Sequence, residues 1–385
     1  MQFEFATATR ILFGNGTIKA VGSIAKDFGR LAMVVGGKNP DRIEPLLEQL
    51  KKQGIEFVTF QVSGREPTTN LALEGVKLAR QQKCELVIGM GGGSVIDTGK
   101  VIAALITNQD NLMNYLEVIG LGKKLTNPSA PYIAIPTTSG TGAEVTRNAV
   151  LKSPEHQVKV SMRSPLMLPR MALVDPELTY SMPPAVTAST GLDALTQLME
   201  AFVSKKSNPL TDGICREGIH RAARSLRRAF ENGSEKAARE DMSLASLFSG
   251  LALANAGLGA VHGFAGPLGG MFPAPHGVIC ARLLPFVMET NISALKNRIP
   301  NSPALAQFDE IAQILTGNIS AKAEDGLEWI VSLCEILKVP SLSEFGLKEE
   351  DFQEVIEKSK NASSMKGNPI QLSGEELAGI LRKAL

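Results

Sequence analysis

Between Met242 and Ala281 the chain carries no Asp, Glu, Lys or Arg, yet this run holds two of its four histidines, His262 and His276. A charge-free stretch of this length in a chain that is 21% charged must be buried. A buried imidazole needs partners for its ring nitrogens. Two imidazoles joined by a carboxylate make a donor set suited to a divalent ion such as Fe2+ or Zn2+. Either histidine alone reads as an ordinary hydrogen-bonded core residue; the metal reading needs both to converge. The break "GGMFPAP" keeps them off a single helix and lets the chain turn back. His156 and His220 lie in a polar loop and a basic helix and need no such role.

A second stretch suits anion chemistry. Gly89–Met90–Gly91–Gly92–Gly93–Ser94 stands between an apolar strand and a helix start. Glycines let a backbone approach a pyrophosphate, which the helix N-terminus and free N–H groups stabilise. The loop departs from G-x-G-x-x-G, because Ser94 replaces the third glycine and the loop follows a third strand. By itself it reads equally as a tight strand-to-helix turn. A later run, "PTTSGTGAEVT", offers hydroxyls and further backbone N–H groups after the strand "YIAIP".

The elements that must position these residues fall into two kinds. Short apolar runs alternate with amphipathic helices through the first part of the chain, which predicts a parallel sheet covered by helices. Strands are expected at Leu31–Val35, Glu56–Val62 and Leu86–Ile88, then within "YIAIP", at Val158–Met162 and at Ala172–Val174. A helix is expected to begin at Pro40 and stop at Gly54. Past "DPELTYSMPPAV", from Thr187 onward, the pattern is helical throughout. The expected organisation is an α/β dinucleotide-binding domain over 1–183 and an all-helical metal and substrate domain over 184–385, with the cleft between them as the ligand site.

Composition bounds the rest. A chain of 385 residues suits two cores, and a net charge of +1 argues against nucleic-acid or membrane-surface binding. Cys84, Cys215, Cys280 and Cys334 are scattered without a C-x-x-C pair and read as reduced structural thiols of a cytoplasmic protein. The N-terminus shows no signal-peptide pattern. Ser243–Val261 is long enough to span a bilayer but is rich in Ser, Ala, Gly and Asn, and is expected to be a buried helix.

The segments "GGGSVIDTGK", "PTTSGTGAEVT", "VDPELT", "GLDALT", "APHG" and "GNPIQLS" together closely resemble the iron-containing (group III) alcohol dehydrogenase family, over essentially the whole chain. The resemblance implies a Rossmann-like sheet and a nicotinamide dinucleotide. It places Gly91, Gly92, Gly93 and Ser94 on the pyrophosphate, with Asp97 beside the cofactor and Lys100 on a motif position. Thr137, Thr138, Ser139 and Thr141 would line the adenine and nicotinamide side, and Lys159 would lie near the ribose. NAD-preferring members carry an Asp after the strand that matches Leu31–Val35. Here Gly36 and Gly37 stand there, with Lys38 and Arg42 close by, a charge pattern that favours the extra phosphate of NADP over NAD.

For the metal, the resemblance implies Asp193, His262 and His276 as ligands. Two family histidines are replaced: Gln197 stands one helical turn after Asp193, and Gly266 stands four residues after His262. Gln197 would be a weak fourth ligand or a water holder. The implied reaction is reversible hydride transfer between a small alcohol and the nicotinamide, the metal polarising the oxygen. Without a histidine at 266, alcohol oxidation should be slower or more strongly pH-dependent. Gly263 and Gly266 are expected to leave room for a substrate bulkier than ethanol, and Arg147 and Arg163 are candidate partners for an acidic one. Alternatives are a metal-independent reductase of the maleylacetate-reductase type, a catalytically silent dinucleotide-binding protein, or a lyase of the 3-dehydroquinate synthase type, against which Asp193 argues. A homodimer or larger assembly is expected.

Overall fold

Apolar runs without a polar face build the central strands, and their side chains feed two cores at once. The computed structural model describes residues 2–63 and 66–385. The chain forms two compact units. One comprises Thr7–Thr138 and Gly142–Tyr180; the other comprises Ser181–Leu385, Ser139–Thr141 and the N-terminal residues up to Ala6. Where the sequence suggested an unbroken first segment to 183, the short piece Ser139–Thr141 groups with the helical unit.

In the α/β unit the strands are β1 (Ile11–Phe13), β2 (Leu31–Gly36), β3 (Glu56–Gln61), β4 (Leu86–Gly91), β5 (Tyr132–Pro136), β6 (Asn148–Ser153), β7 (Val158–Arg163) and β8 (Met171–Val174). The helices are α1 (Val21–Lys26), α2 (Glu44–Lys52), α3 (Thr69–Gln82), α4 (Gly93–Thr107) and the single turn α5 (Leu112–Tyr115). Six strands form one sheet in the order β1-β8-β5-β4-β2-β3, every pairing parallel. Alternate residues serve opposite faces: Ala32, Val34 and Ile88 join the core under α1 and α2, while Met33, Val35 and Val87 join the core under α3 and α4. Burial on both faces is why these strands read as continuous apolar runs.

Three details differ from the sequence expectation. Val158–Met162 is no part of the parallel sheet; β7 pairs antiparallel with β6, a strand the sequence reading missed, in a separate ribbon. The edge strand β1 was also missed, being only three residues long. Pro40 opens a 3-10 turn over Pro40–Ile43, capped by the Asn39 side chain, and α2 itself begins at Glu44.

The helical unit contains α6 (Pro184–Phe202), α7 (Pro209–Glu231), α8 (Lys236–Ala256), α9 (Ala260–Met271), α10 (His276–Arg298), α11 (Pro303–Thr316), α12 (Ala323–Ile336), α13 (Phe352–Asn361) and α14 (Gly374–Ala384). Every residue of α6 from Gly191 to Phe202 is buried, Asp193, Gln197 and Glu200 included. The charge-free run is not one helix: α8 ends at Gly257, whose φ is 68°, and α9 leaves at 100° to it. Among the described residues α10 is the one single helix long and apolar enough to cross a membrane, and 67% of its most apolar window is buried within the protein.

Candidate active site

Polar side chains on a fully buried helix must find partners, and those of α6 find them on α9 and α10. Asp193 Oδ1 lies 3.3 Å from His262 Nε2 and 3.8 Å from His276 Nε2. Cys280 joins them, its Sγ 3.6 Å from His262 Nε2 and 3.7 Å from His276 Nε2. One ligand atom from each of the four lies within 4.8 Å of every other. The His262 side chain is 7% exposed and that of His276 34%, so the cluster opens on the His276 side.

Local sequence explains the convergence. His276 is the first residue of α10, placed there by Pro275, and Cys280 follows one turn later on the same face. Gly277 lets α10 approach α6, because a Cβ there would sit 2.5 Å from the Ser189 carbonyl oxygen. At the start of α9 the Glu200 carboxylate accepts from the Val261 N–H at 2.7 Å, while Asn368 Oδ1 accepts from the Ala260 N–H at 3.1 Å. A helix N-terminus left with bare N–H groups in a core would be costly, and an anion there also meets the positive end of the helix dipole.

Glu200 sets the chemistry of His262 as well. Its Oε2 accepts a hydrogen bond from His262 Nδ1 at 2.7 Å. That bond fixes the tautomer and turns the Nε2 lone pair toward the Asp193 carboxylate oxygen. Two acceptors facing each other in a buried site need a proton or a cation between them. Burial opposes charge on His262, but the Cys280 sulfur, Asp193 and Glu200 outweigh it and hold the ring well above the ordinary imidazole value. Burial would likewise raise the Asp193 carboxyl, yet the His276 and His262 rings hold it below the usual range. Burial pushes the Cys280 thiol up to about 12. Gln197 donates through Nε2 to the Gly140 carbonyl at 3.4 Å, leaving its buried Oε1 without a partner. A carboxylate, two imidazoles, a thiol and an orphaned amide oxygen in one buried neighbourhood fit a divalent cation.

Sequence reasoning missed two of these groups. Cys280 was read with the other cysteines as a reduced structural thiol; it is free, and the structure adds that it stands against both imidazoles, for which its spacing of four from His276 was the available signal. Glu200, the one acid in "ALTQLMEAF", signalled itself by lying seven residues after Asp193 in an otherwise buried helix. Two further readings are corrected. Gly263 leaves no space, since a Cβ there would sit 2.7 to 3.2 Å from Met365 atoms, whereas Gly266 does face open space. Arg163 is paired with Glu117 at 3.0 Å.

The α/β unit builds its own cradle. The chain passes from β2 outward to β3 and then returns to β4 on the other side of β2, so the loops leaving β2 and β4 run to opposite sides. This reversal is where open α/β sheets bind nucleotides. Gly36 pairs in register with Met90, which sets Gly37 and Lys38 beside the loop Gly91–Gly92. Helix α4 begins at Gly93 with no side chain capping it, leaving its dipole available to an anion. The Thr137 N–H donates to the Gly91 carbonyl, and Thr138 lies over Gly92. Thus Gly37, Lys38, Gly91, Gly92, Gly93, Ser94, Thr137 and Thr138 gather at adjacent strand ends.

Other residues assigned to the cofactor have internal partners. Asp97 accepts from the Val150 N–H at 3.0 Å and lies 3.5 Å from the buried Lys100 ammonium, which also donates to Thr146 Oγ1 and the Asn148 carbonyl. Together they fasten the β6–β7 ribbon to α4. Lys159 pairs with Glu66 at 2.8 Å. Ser139 belongs to the helical unit, its Oγ 3.4 Å from Ser243 Oγ, and Thr141 belongs with it.

The chain thus carries a nucleotide-type sheet in one unit and a buried carboxylate–imidazole cluster in the other. Comparison with known proteins agrees. The family model for iron-containing alcohol dehydrogenase matches residues 8–176, and that for the Fe-containing alcohol dehydrogenase family, C-terminal, matches residues 187–385. The 1,3-propanediol dehydrogenase of Klebsiella pneumoniae is 34% identical over 395 residues, covering 100% of this chain and 99% of that one. A crystal structure of 1,3-propanediol oxidoreductase superposes with a TM-score of 0.92 at 34% identity, covering 100% of both chains. Sulfoacetaldehyde reductase from Bifidobacterium kashiwanohense in complex with NAD+ superposes with a TM-score of 0.87 at 27% identity, covering 100% of this chain and 99% of that one. The chain belongs to the iron-containing alcohol dehydrogenase family. It is an alcohol dehydrogenase, an oxidoreductase acting on CH–OH groups.

Proposed function

We propose that the protein interconverts a small primary or secondary alcohol and its carbonyl compound, using a divalent ion held by Asp193, His262 and His276, with NADP(H) favoured over NAD(H). The carrying observation is the approach of His262 Nε2 to the Asp193 oxygen at 3.3 Å in a buried site, with His276 and Cys280 beside them. When bound, the ion supplies a Lewis acid for the substrate oxygen, and the dinucleotide supplies or accepts the hydride. Asp193 offsets the positive charge, and Glu200 keeps His262 in the tautomer that presents Nε2. The half-exposed His276 marks the side open to substrate.

For the dinucleotide, Gly91, Gly92, Gly93 and Ser94 with the α4 N-terminus are the proposed pyrophosphate cradle. Thr137, Thr138, Ser139 and Thr141 are proposed for the adenine and nicotinamide side, with Asp97 and Lys159 assisting through the groups they hold in place. Gly37 rather than a carboxylate directly follows β2, and Lys38, Asp41 and Arg42 are exposed beyond it, a net positive charge that favours a 2′-phosphate. At position 266 no side chain is present to carry the alcohol proton, so it leaves through solvent. Gly266→His should raise the rate of alcohol oxidation, by up to about 100-fold if the new imidazole is well placed; an unchanged rate would remove proton relay from the account. The reading extends to a cytoplasmic homodimer or larger homo-oligomer, measurable by light scattering.

The deciding experiment is metal analysis of untagged protein, followed by NADPH and NADH oxidation with a panel of aldehydes before and after exhaustive chelation. Loss of turnover on chelation, restored by Fe2+ or Zn2+, is expected. Undiminished turnover in metal-free protein would sink the metal assignment.

A further inference from the structure

The family set of three histidines is incomplete here, because Gln197 stands where one of them would be, yet the cluster still offers four donors. The fourth comes from a different helix. Cys280 Sγ faces both imidazole nitrogens at 3.6 and 3.7 Å, and the remaining donor pairs involving Asp193 stand at 3.3 and 3.8 Å. Bonds of about 2.0–2.1 Å to nitrogen or oxygen and about 2.3 Å to sulfur give a tetrahedron with edges of about 3.3 Å between N or O atoms and about 3.6 Å from N to S. These four separations match those edges to within about half an ångström, and the other two donor pairs lie within 4.8 Å.

We infer that Cys280 is a metal ligand of this enzyme, completing an Asp193–His262–His276–Cys280 site that prefers Zn2+ to Fe2+. The inference rests on the proposed metal site and adds to it the fourth ligand and the choice of ion. Three features support the thiol over the amide of Gln197. Cys280 follows His276 by one turn of α10, so both are carried by one rigid element. The Cys280 Sγ already stands 3.6 and 3.7 Å from the two imidazole nitrogens. A thiolate is also a far better donor than a neutral amide to zinc, and it shifts preference away from the harder ligand sets. On binding, the thiol proton is released to solvent. Two anionic ligands then neutralise the ion's double charge, making it a milder Lewis acid than a site with one carboxylate and neutral donors.

The test needs no turnover. Metal-free enzyme is titrated with Co2+, and the near-ultraviolet spectrum is examined for a thiolate-to-cobalt charge-transfer band. The wild-type protein should develop the band at one equivalent. Cys280→Ser should bind Co2+ without the band, while Gln197→Ala should keep it. By chelator competition, Cys280→Ser should lose Zn2+ affinity by at least the roughly 100-fold seen for outer ligand partners, and its Zn2+-over-Fe2+ preference should fall. Stoichiometric Co2+ binding to the wild type without a charge-transfer band would overturn the thiol assignment and leave the Asp–His–His site standing. Absence of stoichiometric binding by any ion would instead defeat the metal site itself. Because the wild-type spectrum decides the first point, a Cys280→Ser variant that folds poorly does not blunt the experiment.

Discussion

Glu200 shows how much one buried carboxylate can determine. With one oxygen it meets the Val261 N–H in the first turn of α9, and with the other it orients His262. Glu200→Gln must place an amide N–H against a donor on one of those sides. It should lower Zn2+ affinity by about 10–100-fold and destabilise the helical unit by about 1–2 kcal/mol. Chelator competition and thermal melts measure the two effects, and retention of wild-type affinity would refute the orienting role. Glu144 gives a second residue-level expectation, in the α/β unit. Burial pushes its carboxyl from 4.5 up to about 7, against the backbone and Lys100, which act to lower it. The folded state therefore holds a proton that the unfolded state releases above 4.5. Stability contributed by the neutral form is intact below that pH and is lost as pH rises through 7, amounting to about 3 kcal/mol. Glu144→Gln should flatten this dependence between pH 5 and 8 in denaturant titrations; parallel curves for both proteins would contradict it.

At the scale of elements, the site exists because α6, α9 and α10 come close enough for short side chains to meet. Gly277 permits the α6–α10 approach, since a methyl group there would meet main chain rather than a movable side chain. Gly277→Ala should push α10 away, costing about 1–3 kcal/mol and weakening Zn2+ binding together with stability. If the melting temperature drops while metal affinity stays unchanged, α10 placement is not what sets the donor spacing. In the α/β unit the corresponding device is the reversal of strand order between β2 and β4, which opens the ends of both strands to one ligand. The β6–β7 ribbon depends on two groups of α4, Asp97 and Lys100, of which the resemblance had placed Asp97 beside the cofactor.

For the whole molecule, two units with separate cores should respond differently to ligand removal. The proposed divalent ion would take its donors from three helices of one unit only. At a free concentration about 1,000 times its Kd it stabilises that unit by about 4 kcal/mol. Exhaustive chelation should then lower one calorimetric transition by roughly 10 °C and leave the other in place, while a dinucleotide, held mainly by the proposed Gly91–Ser94 cradle, should raise the second more than the first. A single transition that shifts as a whole under both treatments would show that the units unfold together.

The residue types of the site were legible in the sequence. A charge-free run holding two histidines demands burial, a glycine loop between strand and helix offers an anion site, and a change from alternating strands and helices to helix alone divides the chain. Those are consequences of local geometry and solvation, which act over a few residues. Which donors meet was decided only by tertiary packing. Asp193 and His262 are 69 residues apart, and nothing in their spacing brings in Cys280, assigns Glu200 two tasks or fills the space at Gly263 with Met365. Helix packing fixes distances between side chains that share no local register, and a metal centre is defined by such distances.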